Sequence, residues 1–237
     1  MKIIVAIPTL NENKNIDILF SNLSKLNIKF DLLFIDDNSK DGTQKKIIEL
    51  SKKNKNIKFL FRKKKLGVGS AHKVGIKFAY KEKYKILITM DADGTHDPKY
   101  IPQLIRSSKN NPIVITNRFL SKNSIIDWPL SRRLLTKIRY HLINYLLNIR
   151  YDTSGAYRCY NLCIVKKNDL LAAKDNGYSF FWESIFLFHK KKYKIHEIPV
   201  DLPYRKIGSS KMKFRDIISS LFYLSIYFFK NLLFWIK

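Results

Sequence analysis

The chain has 237 residues, of which 46% are hydrophobic and 14% aromatic, and this composition excludes an intrinsically disordered protein. Its length is sufficient for one large domain with its own hydrophobic core. Lysine and arginine total 45 against 19 aspartates and glutamates, so the formal net charge is +26. Nucleic-acid binding, an anionic membrane and a general lysine bias would each account for it, and we attribute it mainly to lysine bias and a membrane.

Cysteine usage and the first residues bear on the compartment. Cys159 and Cys163 are the only cysteines, and one pair at this spacing matches neither a zinc site nor a disulfide framework. The apolar run at residues 3–7 is too short for the core of a signal peptide. We therefore expect a protein on the cytoplasmic face of a membrane, either peripheral or held by a single C-terminal anchor.

The first half of the chain alternates between apolar and amphipathic segments. The apolar segments predict strands at residues 2–7, 30–35, 57–61, 85–90 and 112–116. The amphipathic segments predict helices at residues 13–26, 43–54, 68–81 and 98–109. This alternation predicts an α/β fold, a mostly parallel sheet flanked by helices, in one domain at residues 1–213.

The second half is less regular. A basic segment at residues 128–139 begins a predicted helix that ends near residue 149. Further helices are predicted near residues 166–173 and 181–190, strands near 156–160 and 194–200, and a polar loop at 205–213.

The C-terminal segment contains thirteen consecutive uncharged residues, Ile217 to Phe229. Thirteen residues are too few to cross a bilayer. Aromatic residues within the run and basic residues beside it are typical of a helix at a membrane surface. We expect a membrane-contact helix at residues 214–237, with a helix packed on the core as the alternative. Whether the contact helix lies on the membrane or spans it, with Lys230 reaching the interface, stays open.

Acidic residues follow three of the predicted strands. Asp91-Ala92-Asp93 comes directly after an apolar run, and side chains alternate along a strand, so the two carboxylates point the same way. Glu12 follows the first strand and Asp36-Asp37 the second. Because parallel strands place their carboxyl ends at one edge, we expect a single site there, with Mg²⁺ or Mn²⁺ between the carboxylates and a diphosphate.

Several ordered motifs resemble those of family 2 inverting glycosyltransferases of the GT-A fold, and more narrowly dolichol-phosphate (polyprenol-phosphate) mannose synthases. The broader resemblance lies in the segments at residues 8–12, 35–43 and 90–93. The narrower one lies in the segments at residues 65–71, 96–98, 128–133, 153–158, 197–199 and 205–212.

The resemblance implies a role for each matching position. The base and ribose of a sugar nucleotide would contact Pro8, Leu10, Glu12, Ile35 and Asp37. The diphosphate and its metal would contact Asp91, Ala92, Asp93 and Thr95. The metal ligands would be Asp91, Asp93 and Thr95. Donor and acceptor phosphates would contact Arg118, Arg132, Arg133, Arg205 and Lys211. The catalytic residues would be Asp93, Arg118 and Arg132.

The implied reaction transfers mannose from GDP-mannose to a polyprenyl phosphate at a membrane surface. A phosphate monoester is largely dianionic at neutral pH and needs positioning by basic residues, not a general base. A related enzyme with a saccharide or protein hydroxyl acceptor would need a carboxylate base, for which Glu183 and Asp152 are the candidates. A nucleic-acid-binding protein would explain the charge, but it predicts clustered basic and aromatic residues and not three acidic strand ends. We therefore expect no nucleic-acid partner.

Two further residues have open roles in the sequence. Glu183 would either orient the acceptor or cap a pair of helices. His96 would either support the metal ligands or have a structural role.

Overall fold

A central sheet carries most of the fold. The computed structural model describes residues 1–122, 124–205, 207, 208, 211 and 214–235, without the side chains of 214 and 231–235. The strands are β1 (Ile3–Thr9), β2 (Asp31–Asp36), β3 (Ile57–Phe61), β4 (Ile86–Thr89), β5 (Ile113–Asn117), β6 (Ile125–Ile126), β7 (Arg158–Asn161), β8 (Ile195–Pro199) and β9 (Leu202–Pro203). The helices are α1 (Asn13–Ser24), α2 (Thr43–Lys53), α3 (Val68–Lys81), α4 (Ile101–Ser108), α5 (Leu130–Leu147), α6 (Lys167–Leu170), α7 (Ser179–Lys190) and α8 (Phe214–Trp235).

Seven strands form one sheet in the order β3-β2-β1-β4-β7-β5-β8, while β6 and β9 pair separately. Within the described chain, only β7 runs antiparallel to its neighbours, β4 and β5. The predicted α/β fold with a mostly parallel sheet is therefore confirmed. The carboxyl ends of β1, β2 and β4 meet at one edge, and β5 ends on the same side beyond β7.

Helices cover both faces of the sheet, as expected for strands that are apolar on both sides. On one face the buried side chains of α1 and α4 pack against β1, β2 and β4. On the other face those of α3 and α7 pack against the same strands. A third cluster lies outside the sheet, where α5, α7 and α8 contribute Ile143, Trp182, Phe186 and Leu224.

The second half departs from the sequence-based prediction in its details. The helix predicted at residues 166–173 is one turn, α6, and the helix predicted at 98–109 divides into a 3-10 turn (Pro98–Tyr100) followed by α4. The pairing of β6 with β9 was not expected. Such two-residue strands leave no periodic pattern in a sequence.

The C-terminal helix α8 has one face on the core and another exposed. Leu224 is only 4% exposed, and the Trp182 indole donates a hydrogen bond of 3.1 Å to Ser220 Oγ. Ile218, Phe222 and Phe229 are exposed. In the described part of the chain, no helix combines the length and apolar character that a membrane crossing requires.

Candidate active site

One cleft of about 890 Å³ runs from the carboxyl ends of the strands to a gap between α5 and α8. It contains twelve of the residues predicted from the sequence. These are Pro8, Leu10, Glu12, Asp37, Asp91, Ala92, Asp93, Thr95, Arg118, Arg132, Arg205 and Lys211. The cleft is therefore the place where residues far apart in the sequence come together.

Two predicted residues do not line this cleft. The Ile35 side chain is fully buried in the core beneath α3, where it faces Gly75. Arg133 is exposed on α5, because it is one residue removed from Arg132 and so points about 100° away around the helix. The side chains of Ile35 and Arg133 thus lie outside the site that the sequence assigned to them.

The two adjacent aspartates at the end of β2 have different surroundings. Asp36 is fully buried and accepts hydrogen bonds from Thr9 Oγ1, Ser39 N and Gln44 Nε2 at 2.9, 2.9 and 2.7 Å. Asp37 lines the cleft. Asp36 therefore shapes the turn after β2, whereas Asp37 faces the cleft.

Arg62 fixes the position of Asp37. Its guanidinium forms an ion pair with the Asp37 carboxylate and donates to Ser70 Oγ at 2.8 Å and to the Gly67 carbonyl at 3.2 Å. Leu66 N also donates to Asp37, at 3.2 Å. Sequence reasoning did not single out Arg62, since its position at the end of β3 becomes informative only once β2 and β3 are known to be paired.

Gly67 allows α3 to begin close to the segment before α7. Its φ of +95° is unfavourable for other residues, and a Cβ there would lie 2.3 Å from the Asn176 carbonyl oxygen. Gly67 thus forms the turn that leads into α3.

Asp91 and Asp93 face the cleft just beyond β4. Asp91 N donates a hydrogen bond of 2.8 Å to His96 Nδ1, and the buried His96 ring stacks on Tyr157 with centroids 5.0 Å apart. Thr95 donates to Asp93 Oδ1 through its backbone N at 3.0 Å and its hydroxyl at 2.6 Å. His96 thus supports the backbone of the acidic turn, which resolves its open role.

The electrostatics of this turn favour one charged and one more readily protonated carboxylate. Burial, followed by repulsion from Asp93, raises the pKa of Asp91 above its ordinary value. Burial also acts on Asp93, but Arg205 and the hydrogen bonds from Thr95 outweigh it and hold its pKa below the ordinary value. Burial lowers the pKa of His96 to about 4, so its imidazole is neutral at physiological pH.

The donor set at this turn fits a hard divalent cation. Asp91, Asp93 and the Thr95 hydroxyl provide oxygen ligands on one side of the cleft. Among the described residues, no group of three or more His, Cys, Asp or Glu side chains is arranged around a metal position. Mg²⁺ is commonly held by one or two carboxylates together with substrate phosphates, so a two-carboxylate site agrees with this chemistry.

Two cations that follow β9 lie at the acidic end of the cleft. Arg205 forms an ion pair with Asp93, and Lys211 Nζ lies 3.4 Å from the Asn11 carbonyl oxygen and 4.0 Å from Glu12 Oε1. Burial raises the pKa of Glu12. Residues 206, 209, 210, 212 and 213 of the predicted loop lie outside the described residues.

Arg118 enters the cleft from the segment after β5. Its Nε donates a hydrogen bond of 2.7 Å to Asp152, which is only 1% exposed, and Nη2 lies 3.3 Å from Ser154 Oγ. Glu197 fixes Asp152 from behind by accepting its backbone N–H at 2.9 Å. Asp152 is therefore an ion-pair partner that orients Arg118.

Arg132 stands at the start of α5 between two aromatic rings. Its guanidinium carbon lies 4.7 Å from the centre of the Trp128 ring and 5.3 Å from that of Tyr204. The Trp128 indole is itself fixed by a hydrogen bond of 3.0 Å to the Leu202 carbonyl.

Arg139, which the sequence analysis did not assign, also lines the cleft from α5. Its signal was the seven-residue spacing from Arg132, which places both side chains on one helix face.

Glu183 has a structural environment. It is fully buried and accepts hydrogen bonds from Lys174 N at 2.8 Å, Asp175 N at 2.9 Å and the Tyr227 hydroxyl. These contacts join α7 to α8, which resolves its role in favour of the cap.

Comparison with known proteins agrees with this geometry. The profile of "Glycosyl transferase family 2" matches residues 4–169. The chain belongs to this family. Like its other members, it is a glycosyltransferase, and the acidic turn after β4 lies within the matched segment.

Two relatives are similar over nearly the whole chain. The undecaprenyl-phosphate mannosyltransferase of Micrococcus luteus is 30% identical over 214 residues, which are 90% of this chain and 88% of the relative. The polyprenol monophosphomannose synthase of Mycolicibacterium smegmatis is 28% identical over 222 residues, covering 92% and 84%.

The fold is shared with a more distant glycosyltransferase of known structure. Glucosyl-3-phosphoglycerate synthase from Mycobacterium tuberculosis, in complex with Mn²⁺, uridine-diphosphate-glucose and phosphoglyceric acid, gives a TM-score of 0.65 at 13% identity. The match covers 97% of this chain and 79% of that one. The GT-A fold that the motifs implied is confirmed.

Proposed function

We propose that this family 2 glycosyltransferase transfers mannose from GDP-mannose to a polyprenyl phosphate, with inversion at the anomeric carbon. The observation that carries the proposal is the composition of this cleft. Its three parts are an acidic turn, a cluster of arginines and an apolar region between α5 and α8. These three parts match, in the same order, a nucleoside diphosphate with its cation, a phosphate and a prenyl chain.

The donor binds at the acidic end. Asp37, with its orientation fixed by Arg62, is an acceptor for the N1–H and amino donors of guanine. Pro8 and Leu10 offer apolar contacts beside it. A cation bound by Asp91 and Asp93 supplies charge stabilisation to the departing diphosphate.

The Arg205 segment assists the leaving group. In this structure Arg205 pairs with Asp93, and Lys211 lies near Glu12. A sugar diphosphate brings negative charge to this position, so both cations have a stronger partner when the donor is bound. Arg205 and Lys211 thereby stabilise the negative charge of the departing diphosphate.

The acceptor reacts as a phosphate oxygen. A lone pair of the acceptor phosphate attacks the anomeric carbon as its bond to the diphosphate oxygen breaks, and the electron pair leaves with the nucleoside diphosphate. The products are a glycosyl phosphodiester and the diphosphate, and no proton is transferred. Arg118 and Arg132 orient the acceptor oxygens, because guanidinium groups bind phosphate with two parallel hydrogen bonds.

Two environments argue against Asp152 and Glu183 as bases for a hydroxyl acceptor. The carboxylates that the sequence offered as bases, Asp152 and Glu183, are buried and bound to Arg118 and to backbone N–H groups respectively. Neither lines the cleft. A base that takes a hydroxyl proton must lie within hydrogen-bonding reach of it.

The prenyl chain and the membrane account for the apolar end. Leu135, Ile138 and Leu142 of α5 and Ile217 and Leu221 of α8 line the cleft and are partly exposed to solvent. Removing such side chains from water stabilises the bound state by roughly 25 cal/mol per Å² of apolar surface buried. Residues 1–213 form the catalytic domain in this proposal, and α8 together with α5 contacts the cytoplasmic face of a membrane.

A donor and acceptor screen tests the proposal. Each of several radiolabelled sugar nucleotides is incubated with the protein, Mg²⁺ and polyprenyl phosphate, and the product is extracted into organic solvent. We expect extractable label from GDP-mannose and none when polyprenol replaces its phosphate. Label that stays in the aqueous phase with every donor would contradict the proposed acceptor.

A further inference from the structure

Arg139 differs from Arg118 and Arg205, two other cations of the cleft. It lines the cleft from the middle of α5 and is only partly exposed, yet it forms no hydrogen bond or ion pair with any described residue. Arg118 by contrast is paired with Asp152, and Arg205 with Asp93. A guanidinium withdrawn from water without a carboxylate partner is costly unless a ligand supplies the counter-charge.

The neighbours of Arg139 define what that ligand must be. The charged groups that act on it are Arg118, Asp152 and Arg132. Asp152 offsets only one of the three positive charges, and it lies behind Arg118, outside the cleft lining. Burial, then Arg118, lowers the pKa of Arg139 to about 10, which leaves it charged at neutral pH. The excess of positive charge suits a dianion better than a monoanion.

The position of Arg139 along α5 adds a second requirement. Seven residues separate it from Arg132, so it lies about 10 Å further along the same helix face. On that face Leu142 and Ile143 follow it, and they belong to the apolar part of the cleft. Arg139 therefore stands where the polar part of the cleft meets the apolar part.

We infer that Arg139 completes, with Arg118 and Arg132, a site for a phosphate monoester dianion attached to an apolar chain, and that Arg139 determines selectivity for the monoester over a diester. This inference rests on the proposed function and deepens it. The monoester carries one more negative charge than the diester at neutral pH, and Arg139 provides the additional cation. The diester would leave that cation without a full counter-charge.

Full-length R139Q tests the inference, with R139K as the conservative variant and K137Q as the matched control. Lys137 is exposed on the same helix and does not line the cleft, so K137Q removes an equal charge at an unrelated position. The loss of a charge-assisted hydrogen bond corresponds to about a 10- to 100-fold change. We expect R139Q to raise the KM for polyprenyl phosphate by that factor and to leave the KM for the sugar nucleotide unchanged. R139K should be intermediate, and K137Q should behave as the wild type.

Binding measurements separate this inference from the proposed function. Geranyl phosphate and its methyl diester are titrated into each protein by calorimetry, without any donor. We expect the wild type and K137Q to prefer the monoester, and R139Q to lose most of that preference. Equal monoester preference in R139Q and wild type would overturn the inference, even if sugar transfer to polyprenyl phosphate is observed. If R139Q loses the monoester preference but the wild type transfers no sugar, the result would support the anion site and overturn the proposed function.

Discussion

The aspartates of this chain show why residue type alone does not identify a site. Asp36 and Asp37 are adjacent, yet Thr9, Ser39 and Gln44 occupy the oxygens of the first, while the second lines the cleft. Alternation along β2 explains the difference, because neighbouring side chains point to opposite sides of a strand. Asp91 and Asp93 both line the cleft, as the sequence predicted, although β4 ends at Thr89 and both residues lie in the turn beyond it.

Asp93→Asn tests the acidic turn. The substitution keeps the size of the side chain but removes the charge that a cation and Arg205 require. We expect turnover to fall by about two to three orders of magnitude, the range found when one electrostatic group of an active site is lost. The melting temperature should stay near that of the wild type. D17N, which removes an exposed carboxylate on α1, is the control and should keep full activity. If D93N turns over at the wild-type rate in excess chelator, the proposed metal-binding role of Asp93 is wrong.

The role of Arg62 could not be predicted from the sequence. Its importance follows from a contact with Asp37 across 25 residues, and a single chain contains no pattern for such a contact. Arg139 is different, since its spacing from Arg132 was visible. In a chain with 45 lysines and arginines, however, such spacings are common and carry little information.

Arg62→Gln is expected to impair donor binding. Without its ion pair the Asp37 carboxylate is less constrained, and Ser70 and Gly67 lose the hydrogen bonds that Arg62 donates to them. Hydrogen bonds to charged groups contribute about 1.5–3 kcal/mol, so we expect the KM for the sugar nucleotide to rise about tenfold or more. The kcat at saturating donor should change much less. A lower kcat with an unchanged KM would show that Arg62 acts on the chemical step.

At the scale of elements, the periodic segments were predictable and the irregular ones were not. The predicted helix at residues 68–81 coincides with α3, and the strand at 57–61 coincides with β3. The insertion of β7 in the reverse direction between β4 and β5 depends on contacts between distant segments. Local hydrophobic patterns contain no information about strand direction or about such pairings.

The two faces of α8 have separable consequences. The triple variant I218S/F222S/F229S changes only exposed side chains, so we expect it to lose binding to anionic vesicles with little change in melting temperature. L224A instead removes a side chain that is 4% exposed between α5 and α7, and should cost about 2–5 kcal/mol of stability. Vesicle co-sedimentation and thermal unfolding measure the two effects. Unchanged vesicle binding by the triple variant would overturn the proposed membrane contact.

Helix α3 carries a buried histidine that links stability to pH. His72 is 2% exposed against Phe180 and Phe181, and burial lowers its pKa to about 3. The unfolded chain, with an ordinary histidine pKa of about 6.5, binds the proton first. Stability contributed by the neutral ring is therefore complete above about pH 6.5 and decreases as the pH falls toward 3.

His72→Gln should reduce this dependence. Between pH 7 and pH 5.5, we expect the loss of unfolding free energy to be smaller in H72Q than in wild type by about 1 kcal/mol. Urea denaturation at both pH values measures it. His141 is exposed on α5, and H141Q serves as the control. We expect its unfolding free energy to change between the two pH values by as much as that of the wild type. An equal pH dependence in H72Q and wild type would show that His72 is accessible to protons in the folded state.

At the scale of the whole molecule, charge and apolar surface occur together. Leu130, Leu134 and Tyr145 of α5 are exposed, as are Ile218 and Phe222 of α8, on a chain whose net charge is +26. A basic protein with an exposed apolar surface is suited to an anionic bilayer. Composition indicated such a partner, but the contribution of α5 to this surface required the fold, because the sequence suggested only a basic segment there.

The most direct test of the proposed reaction is the covalent structure of its product. The protein is incubated with GDP-[1-¹³C]mannose, Mg²⁺ and polyprenyl phosphate, and the extracted product is analysed by ¹³C and ³¹P NMR. We expect a phosphodiester whose phosphorus couples to C1 of the sugar, with the anomeric configuration inverted relative to the donor. A product in which C1 is bonded to a hydroxyl oxygen of a saccharide, protein or prenol, with polyprenyl phosphate unreacted, would contradict it.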